Sequence, residues 1–464
     1  MGSISKSFAL ILIITVTVSS LIVVESSFAQ SIPAALSSGP TVLWTYPTDG
    51  LVYSLAVDGG VVYACSSDSH VYALNANNGA KLWSYNTTYA VEDTPAVANG
   101  VIYFGTVSGI LYALNAADGT QIWNLTTQVF NLTTGTAIYG SPTVAHGQVY
   151  IGNLNHLYDL SASNGEIIWN YSIPSVWNFN THPFVFASTA AEDNGAVYAI
   201  AGDGYNNTLY AVNTTNGNPL WNAPIGETVY SPNTAPAVAN GKVFVACSIN
   251  VPPSPGSADI VALNAADGTQ LWNRTGPPGG YSTPVVANDA LYVTGSGLLL
   301  ALNPANGVQL WSFNATALFS VPTVVGGEVY MGSWYFYPLS DSPGNIFGLD
   351  AATGRVILNY QTKGATAFPG SGSPVFANGV IYALNVNNIF ALGGSLVSTP
   401  SPSPAPTISS TANSTTSPSP TSTPTVPEFP SLLAVLTLFV AVPVSIAVLV
   451  ESRKRKADQS KLTD

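Results

Sequence analysis

The sequence has few charged residues and very little cysteine, histidine or methionine. Only 7% of its 464 residues are Asp, Glu, Lys or Arg, and it contains two Cys, four His and two Met. Helical bundles need many charged side chains on their outer faces, so this composition excludes an all-α fold. The 41 Gly and 33 Pro favour an all-β protein with many turns. Two isolated Cys also exclude a disulfide scaffold and a Cys-rich metal site.

Basic residues are scarce outside the C-terminal end. Five of the eleven Lys and Arg residues lie in the last twelve positions, and 23 Asp and Glu give the chain a formal net charge of −12. Binding to nucleic acid needs a basic footprint. The acidic body of the protein therefore predicts no nucleic acid partner.

Both ends of the chain have the patterns of targeting segments. Lys6 precedes an uncharged apolar run and a pair of small residues typical of a cleavage site, so residues 1–29 are predicted to be a secretory signal peptide. An uncleaved N-terminal anchor is the alternative. Residues 431–450 carry no charge and are long enough for one transmembrane helix. The basic tail 451–464 predicts that the C-terminus is cytoplasmic.

A stalk is predicted before this helix. In residues 398–427, 25 of 30 positions are Ser, Thr or Pro, and such a segment is extended because it cannot form a core. The stalk, Pro427-Glu428-Phe429-Pro430, the apolar span and the basic cluster together resemble the C-terminal sorting signals of archaeal surface proteins. A plain retained anchor is the alternative. We expect a monomeric ectodomain on the extracellular side of the cell membrane, anchored by a single pass.

One eleven-residue phrase recurs along the middle of the chain. Its copies are Ala73–Trp83, Ala113–Trp123, Asp159–Trp169, Ala211–Trp221, Ala262–Trp272, Ala301–Trp311 and Gly348–Leu358. A second phrase with an Asn-Gly turn, such as Pro95–Tyr103, precedes most copies. The period of 39 to 52 residues matches a four-stranded propeller blade, and the Gly-containing turns between alternating apolar positions are typical of hairpins.

The number of copies predicts eight blades. An eighth blade begins at Ser373 and stops at Leu392 without its last strand. That strand is present at the start of the chain, in Thr41–Tyr46. Pairing the two chain ends removes both free sheet edges and closes the ring. We therefore expect an all-β, eight-bladed propeller of four-stranded antiparallel blades over residues 41–397.

The repeated phrase resembles the tryptophan-docking motif of pyrroloquinoline-quinone-type propeller repeats. The resemblance implies that a tryptophan in the last strand of each blade packs on the neighbouring blade. These residues are Trp44, Trp83, Trp123, Trp169, Trp221, Trp272 and Trp311. The chain departs from the motif by placing Asn where Asp is common, as at Asn75. Asn keeps the oxygen that caps the turn, so we expect the fold to tolerate the change.

The same resemblance implies an alternative function, a quinone-dependent oxidoreductase of alcohols or sugars that uses the quinone with calcium. Members that bind the quinone carry adjacent cysteines, whereas Cys65 and Cys247 fall in separate blades here. The acidic pairs Glu92-Asp93 and Glu192-Asp193 lie just before first strands. They could contribute to a cation or acid/base site or be solvated loop charges. The His residues lack ligand spacing, so no catalytic or metal residue is predicted.

Loop lengths differ between the two faces of the predicted disc. The first and third turns of every blade keep one length, whereas the intervals on the opposite face run from 8 to 17 and from 11 to 21 residues. Variable loops on a rigid scaffold often carry binding sites. The candidate binding residues in these loops are Trp177, Phe179, His182, Trp334, Tyr335 and Tyr337. Packing of these aromatics onto their own loops is the alternative, and Pro252–Gly256 is expected to be a stiff spacer.

The main hypothesis is therefore a non-enzymatic, surface-anchored module without a cofactor, which binds a cell-envelope polysaccharide or protein. N-glycosylation is a further prediction, because an Asn-x-Ser/Thr motif begins at nine asparagines. These are Asn86, Asn124, Asn131, Asn170, Asn206, Asn213, Asn273, Asn314 and Asn413. Three of them directly follow a docking tryptophan, which predicts glycans at the outer rim. In an Asn- and Thr-rich chain some motifs arise by chance, so we expect several sites rather than all to be used.

Overall fold

The computed structural model describes most of residues 40–393. The described ranges are 40–126, 141–153, 156–172, 186–187, 191–202, 207–226, 235–251, 254–276, 282–295, 297–315, 318–334, 343–365, 373–385 and 387–393. These residues form 34 β-strands and no α-helix. No helix within them is long and apolar enough to cross a membrane. The predicted signal peptide, stalk and transmembrane segment lie outside the described residues.

Eight antiparallel sheets, one per blade, form the propeller. We call the strands of a blade A to D, from the innermost strand, at the central channel of the ring, to the outermost one. Blade 1 contains β2 (Val52–Asp58), β3 (Val61–Ser66), β4 (His70–Asn75) and β5 (Lys81–Asn86). Blade 2 contains β6 (Ala96–Ala98), β7 (Val101–Gly105), β8 (Ile110–Asn115) and β9 (Gln121–Thr126). Blade 3 contains β10 (Thr143–Ala145), β11 (Gln148–Asn153), β12 (His156–Ser161) and β13 (Ile167–Ser172).

The next three blades repeat this order. Blade 4 contains β14 (Phe186–Ala187), β15 (Ala191–Asp193), β16 (Ala196–Gly202), β17 (Asn207–Asn213) and β18 (Pro219–Gly226). Blade 5 contains β19 (Ala237–Ala239), β20 (Lys242–Val251), β21 (Ser254–Asn264) and β22 (Gln270–Gly276). Blade 6 contains β23 (Val285–Ala287), β24 (Ala290–Gly295), β25 (Leu298–Leu302) and β26 (Gln309–Asn314).

The last two blades complete the ring. Blade 7 contains β27 (Leu318–Phe319), β28 (Thr323–Val325), β29 (Glu328–Trp334), β30 (Pro343–Asp350) and β31 (Val356–Ala365). Blade 8 contains β32 (Val375–Ala377), β33 (Val380–Asn385), β34 (Asn388–Gly393) and β1 (Thr41–Pro47). The short strands β14 and β27 pair with the far ends of strands B, so blades 4 and 7 each have one strand more than the sequence predicts.

The N-terminal strand closes the ring, as predicted. β1 pairs antiparallel with β34, from Thr41 opposite Gly393 to Pro47 opposite Asn388. Trp44 in β1 is buried, and it packs with core residues of blades 8 and 1. The eight-bladed propeller and its mode of closure are therefore confirmed.

Most seams between blades are held by a tryptophan of strand D and a tyrosine of strand B. In blade 1, Trp83 Nε1 and the Tyr63 hydroxyl both donate to the backbone oxygen of Ala116 in blade 2, at 3.0 and 3.1 Å. Their ring centroids are 5.9 Å apart. Blades 2, 4, 6 and 8 make the same two bonds to one carbonyl. That carbonyl always lies in the C–D turn of the next blade.

A glycine in the same turn makes room for the tryptophan. Gly165 has a φ of +71°, and a Cβ there would lie 2.6 Å from the ring of Trp123. Glycine is therefore needed both for its left-handed backbone and for the close approach of the ring. The equivalent glycines are Gly79, Gly119, Gly217, Gly268, Gly307 and Gly354.

Blade 7 lacks a docking tryptophan because blade 8 has no turn to receive it. Strands C and D of blade 8 come from opposite ends of the chain, so no hairpin joins them. Leu358 occupies the tryptophan position and is buried. The Tyr330 ring stacks instead on Phe376 of blade 8, with centroids 5.3 Å apart. Its hydroxyl donates to Glu328 rather than to a turn carbonyl.

Candidate functional site

The innermost strands surround a small apolar cavity. It has a volume of about 200 Å³ and lies among strands A of blades 1, 6, 7 and 8. Val57, Val286, Val324 and Phe376 line it, together with a few hydroxyl groups, and no charged residue of the described chain lines it. The lining of this cavity, at the central channel, is suited to apolar packing rather than to binding an ion.

Hydroxyl groups at the entry of strands A connect neighbouring blades. The Ser54 hydroxyl of blade 1 donates to the Asp93 backbone oxygen, at 2.8 Å. The Ser141 hydroxyl of blade 3 accepts from the Thr94 amide, at 2.9 Å. The Thr283 hydroxyl of blade 6 likewise accepts from the Ala235 amide of blade 5, at 3.0 Å. We did not predict these links, although the sequence repeats a Ser or Thr before the proline of strand A.

The acidic pair of blade 2, Glu92 and Asp93, lies beside these hydroxyl groups and is partly buried. The Asp93 side chain is buried, and burial, with nearby Glu92, raises the pKa of its carboxyl well above the usual range. Glu92 accepts a long hydrogen bond from the Tyr53 hydroxyl, at 3.4 Å. Burial also raises the pKa of the neighbouring Cys65 thiol. Burial therefore disfavours the charged carboxylate and the thiolate, the forms that bind a metal ion or act as a nucleophile.

The prediction for the second acidic pair was wrong. Glu192 and Asp193 do not precede strand A of blade 4 but form it, in β15. Blade 4 has Ala190 in place of the proline that marks this strand elsewhere, which is why the sequence pattern was missed. Glu192 Oε2 lies 3.5 Å from Nδ1 of the exposed His146. The pair therefore lies toward the constant-turn face rather than the variable one.

Asp159 is a buried acid that the sequence analysis did not single out. It occupies the alanine position of strand C in blade 3, and it accepts a hydrogen bond from Gln148 Nε2. Its Oδ1 has no hydrogen-bond partner among the described residues, and burial raises its pKa to about 7. The Tyr150 hydroxyl donates to Gln148 Oε1, at 2.9 Å. The sequence signal was Tyr158-Asp159-Leu160, where other blades have Tyr-Ala-Leu or a close variant.

These groups stay separate from one another. Within the described residues, no three His, Cys, Asp or Glu side chains come together in a way that could hold a metal ion. Asp93 lies beside Glu92 and Cys65, whereas Asp159 is hydrogen-bonded to Gln148. The geometry therefore brings together no acid/base pair with a substrate cavity in the described part of the chain.

The variable face carries a long hairpin in blade 5. Strands B and C of this blade have 10 and 11 residues, and pairing continues to Val251 opposite Ser254. In blade 2 the equivalent pairing ends at Gly105 opposite Leu111. The five additional residues of β20 extend it by about 16 Å at ~3.3 Å per residue. Pro252–Gly256 was predicted to be a spacer, but Ser254–Gly256 belong to β21, so that prediction was wrong.

The predicted aromatic binding residues lie almost entirely outside the described part of the chain. This applies to Trp177, Phe179, His182, Tyr335 and Tyr337. The backbone of Trp334 is described, at the end of β29, where it pairs with Leu318. Its position at the far end of strand B places this backbone on the variable face.

The glycosylation motifs occupy two kinds of position. Five of the six described acceptor asparagines are exposed on strands D, namely Asn86, Asn124, Asn170, Asn273 and Asn314. Asn213 instead ends strand C of blade 4 and caps the C–D turn, where its Oδ1 accepts from the Thr215 amide at 2.9 Å. Asn131, Asn206 and Asn413 lie outside the described residues.

The quinone of the resembled family does not fit the described channel. Pyrroloquinoline quinone is a polycarboxylate, and its binding requires cationic groups or many hydrogen-bond donors. The cavity lining is mainly aliphatic, with hydroxyls such as Ser54, Thr94 and Ser373 as its polar groups. We therefore assign no chemical step to a quinone in this chain.

The family model for the outer membrane protein assembly factor BamB matches residues 11–201, 155–278 and 205–418. The chain belongs to this family. The expected relationship to pyrroloquinoline-quinone-type repeats is thereby confirmed. A curated relative, the outer membrane protein assembly factor BamB of Moranella endobia (strain PCIT), is 27% identical over 276 residues. That match covers 58% of this chain and 62% of the relative, less than two thirds of its length.

Solved structures show the same fold at low identity. BamB from Moraxella catarrhalis has a TM-score of 0.57 at 17% identity, and the match covers 76% of this chain and all (100%) of that one. The quinohemoprotein alcohol dehydrogenase ADHIIG from Pseudomonas putida HK5 has a TM-score of 0.58 at 14% identity. That match covers 79% of this chain and 78% of that one. At such identities the likeness shows the propeller fold alone.

Proposed function

We propose that this chain is a non-enzymatic scaffold of the cell surface that binds a protein partner through the variable face of the propeller. Its family is named for an assembly factor, and an assembly factor acts by binding proteins. The proposed arrangement is a secreted propeller held by a Ser/Thr/Pro stalk and a single membrane helix. The binding face then points away from the fixed turns that hold the blades together.

The observation that carries this proposal is the long hairpin of blade 5. Among the described strands, residues Ser248–Val251 of β20 pair only with β21. Strand addition by an extended segment of a partner uses the backbone groups at the edge of such a two-stranded ribbon. Such recognition needs neither a cofactor nor charged side chains, in keeping with a sequence that has 7% charged residues.

The alternative is a quinone-dependent oxidoreductase, in line with the fold of the dehydrogenase neighbour. The aliphatic lining of the channel argues against it, because a polycarboxylate would leave its charges unpaired there. A titration of the purified ectodomain with the quinone and Ca²⁺ separates the two functions. A bound chromophore together with reduction of an electron-accepting dye would support the oxidoreductase and overturn our proposal.

Site-specific photo-crosslinking tests the proposed face. A photoreactive amino acid at Ile249 in the hairpin should crosslink one defined envelope protein in intact cells. The same group at Asp118, an exposed residue of a C–D turn on the opposite face, is the matched control and should give no such product. A product from Asp118 but not from Ile249 would show that the opposite face binds. A product that contains carbohydrate but no protein would indicate a polysaccharide partner instead.

A further inference from the structure

A bulged aliphatic residue precedes the docking tryptophan on the outer rim. Each strand pair C–D shifts register just before the tryptophan, which leaves one extra residue on strand D. In blades 2, 3 and 5 this residue is Ile122, Ile168 or Leu271, and its exposed fraction is 46%, 48% and 46%. Leu82 of blade 1 and Leu310 of blade 6 are exposed to a similar extent. Leu220 of blade 4 and Leu43 of blade 8 are each 50% exposed, so the rim presents such a side chain in every blade except blade 7, where Ile357 is half-buried.

Glycan acceptors follow this residue along the same strand. Asn124 stands two positions after Ile122, and Trp123 between them is buried toward the next blade. Residues two apart along a strand lie about 7 Å from each other, which is within reach of an attached oligosaccharide. Asn170 and Asn273 repeat this spacing after Ile168 and Leu271. Asn86 and Asn314 stand four positions after their aliphatic residue.

We infer that these five asparagines carry N-linked glycans and that each glycan lies over the bulged aliphatic residue of its own strand. In the modification, the amide nitrogen of Asn forms a bond to the anomeric carbon of an oligosaccharide. The donor is a lipid-linked oligosaccharide phosphate, whose bond between anomeric carbon and phosphate oxygen breaks, and the amide loses one proton. The carbohydrate then shields both the apolar side chain and the outer sheet edge.

The coat covers only part of the circumference. Strands D of blades 1, 2, 3, 5 and 6 carry acceptors, whereas those of blades 4, 7 and 8 carry none. In blade 4, Asn222 follows Trp221 in the same way, but Pro224 stands where the motif needs a hydroxyl residue. The bare stretch at blades 7 and 8 includes Gly393, where the described chain leaves the propeller toward the predicted stalk. The chain therefore leaves the propeller at a part of the rim whose strands D carry no acceptor.

Asn213 provides an internal comparison for the test. It has the same Asn-Thr-Thr motif as Asn86, but its Oδ1 caps a turn whose glycine packs on Trp169. Asn86 lies exposed at the end of strand D, and its Oδ1 accepts from the Thr88 amide at 2.8 Å. Both Oδ1 atoms accept from the amide two residues on, so the two sites differ in exposure: Asn86 is exposed, whereas Asn213 is half-buried in the turn. We expect modification at Asn86 and at least tenfold lower occupancy at Asn213.

The experiment is glycopeptide mass spectrometry of the full chain from its own envelope. The inference requires occupancy at the five strand-D asparagines and a bare or nearly bare Asn213. Equal occupancy at Asn213 and Asn86 would overturn it, and so would five bare rim sites. A second measurement tests whether the glycans cover the aliphatic residues. It compares the fluorescence of a hydrophobic dye bound to the folded protein before and after enzymatic removal of the glycans.

Variants make the second measurement specific. The triple variant Asn124→Gln, Asn170→Gln and Asn273→Gln should increase dye fluorescence several-fold, as enzymatic removal should. Asn222→Gln is the matched control, since it follows a docking tryptophan without a motif, and should change nothing. Adding Ile122→Ser, Ile168→Ser and Leu271→Ser to the triple variant should return the signal to that of the unmodified protein. Loss of the glycans without any gain in dye binding would refute the covering role.

Discussion

The packing of Trp123 on Gly165 predicts a large coupling energy between two residues of neighbouring blades. Gly165 has a φ of +71°, and a Cβ there would lie 2.6 Å from the tryptophan ring. The ring is buried, and its Nε1 donates to Ala162 at 3.0 Å. Substitution of either residue by Ala therefore damages the same contact, from opposite sides.

The structure gives the size of each effect. Trp123→Ala should cost about 3–5 kcal/mol of the free energy of unfolding, since it removes a large buried ring. Gly165→Ala should cost about 1–2 kcal/mol for its left-handed backbone and a further ~1–3 kcal/mol for the clash with the ring. In the double variant the ring is gone, so the clash term disappears. The double variant should thus be less destabilised than the sum of the single ones, by about 1–3 kcal/mol.

Urea unfolding of the ectodomain, followed by circular dichroism, measures this cycle. Gly100→Ala is the control, because Gly100 has a φ of +76° but no heavy atom within 4 Å of its would-be Cβ. It should cost only the backbone term and should be additive with Trp123→Ala to within about 0.5 kcal/mol. Additivity in the Gly165 cycle as well would refute the docking argument, since the two residues would then not share an energetic contact.

Three further predictions concern other parts of the ring. Deletion of residues 41–46 should lower the melting temperature of the ectodomain by about 5 °C or more, because it removes Trp44 and exposes strand C of blade 8; a change of only one or two degrees would contradict closure by this strand. Leu358→Trp should not stabilise the protein in urea unfolding, because blade 8 lacks the turn that would receive the ring; a gain in stability would show that another surface receives it. The pKa of Asp159 is raised to about 7 in the folded protein, so the unfolded chain binds fewer protons and stability should fall between about pH 4 and pH 7. Asp159→Ala should remove a slope of the unfolding free energy against pH that approaches about 1.4 kcal/mol per pH unit. An unchanged slope in that variant would contradict the raised pKa of Asp159.

Repetition explains why so much of the fold could be predicted. Seven copies of one phrase fix the blade length, and the strand in Thr41–Tyr46 supplies what the last blade lacks. Each turn repeats because each must place a glycine against a tryptophan, so the sequence records the contact directly. The wrong prediction at Glu192 arose where the repeat is incomplete. Blade 4 had lost the proline that identifies strand A, and the pattern could not be recognised without it.

The candidate site was less accessible to such reasoning, because it depends on residues that do not repeat. The length of the blade 5 hairpin could not be predicted, since Pro252–Gly256 has the composition of a linker, yet its last residues pair as a strand. The importance of Asp159 comes from its complete burial, which a sequence pattern does not state. Its position in the repeated phrase did mark it as an exception. A departure from the repeat thus marks a residue with a special role, although only the fold shows what that role is.

The two faces of the disc differ because the tryptophan and tyrosine contacts between blades lie at one of them. The tryptophan and tyrosine bonds end on carbonyls of the C–D turns, as at Ala116, and the glycines that receive the rings lie in the same turns. An insertion there would move a carbonyl and a glycine away from the neighbouring blade. The B–C loops on the opposite face take no part in these bonds. Strands B and C of blade 5 can therefore lengthen without weakening a seam, and this freedom makes the variable face the place where binding could diverge.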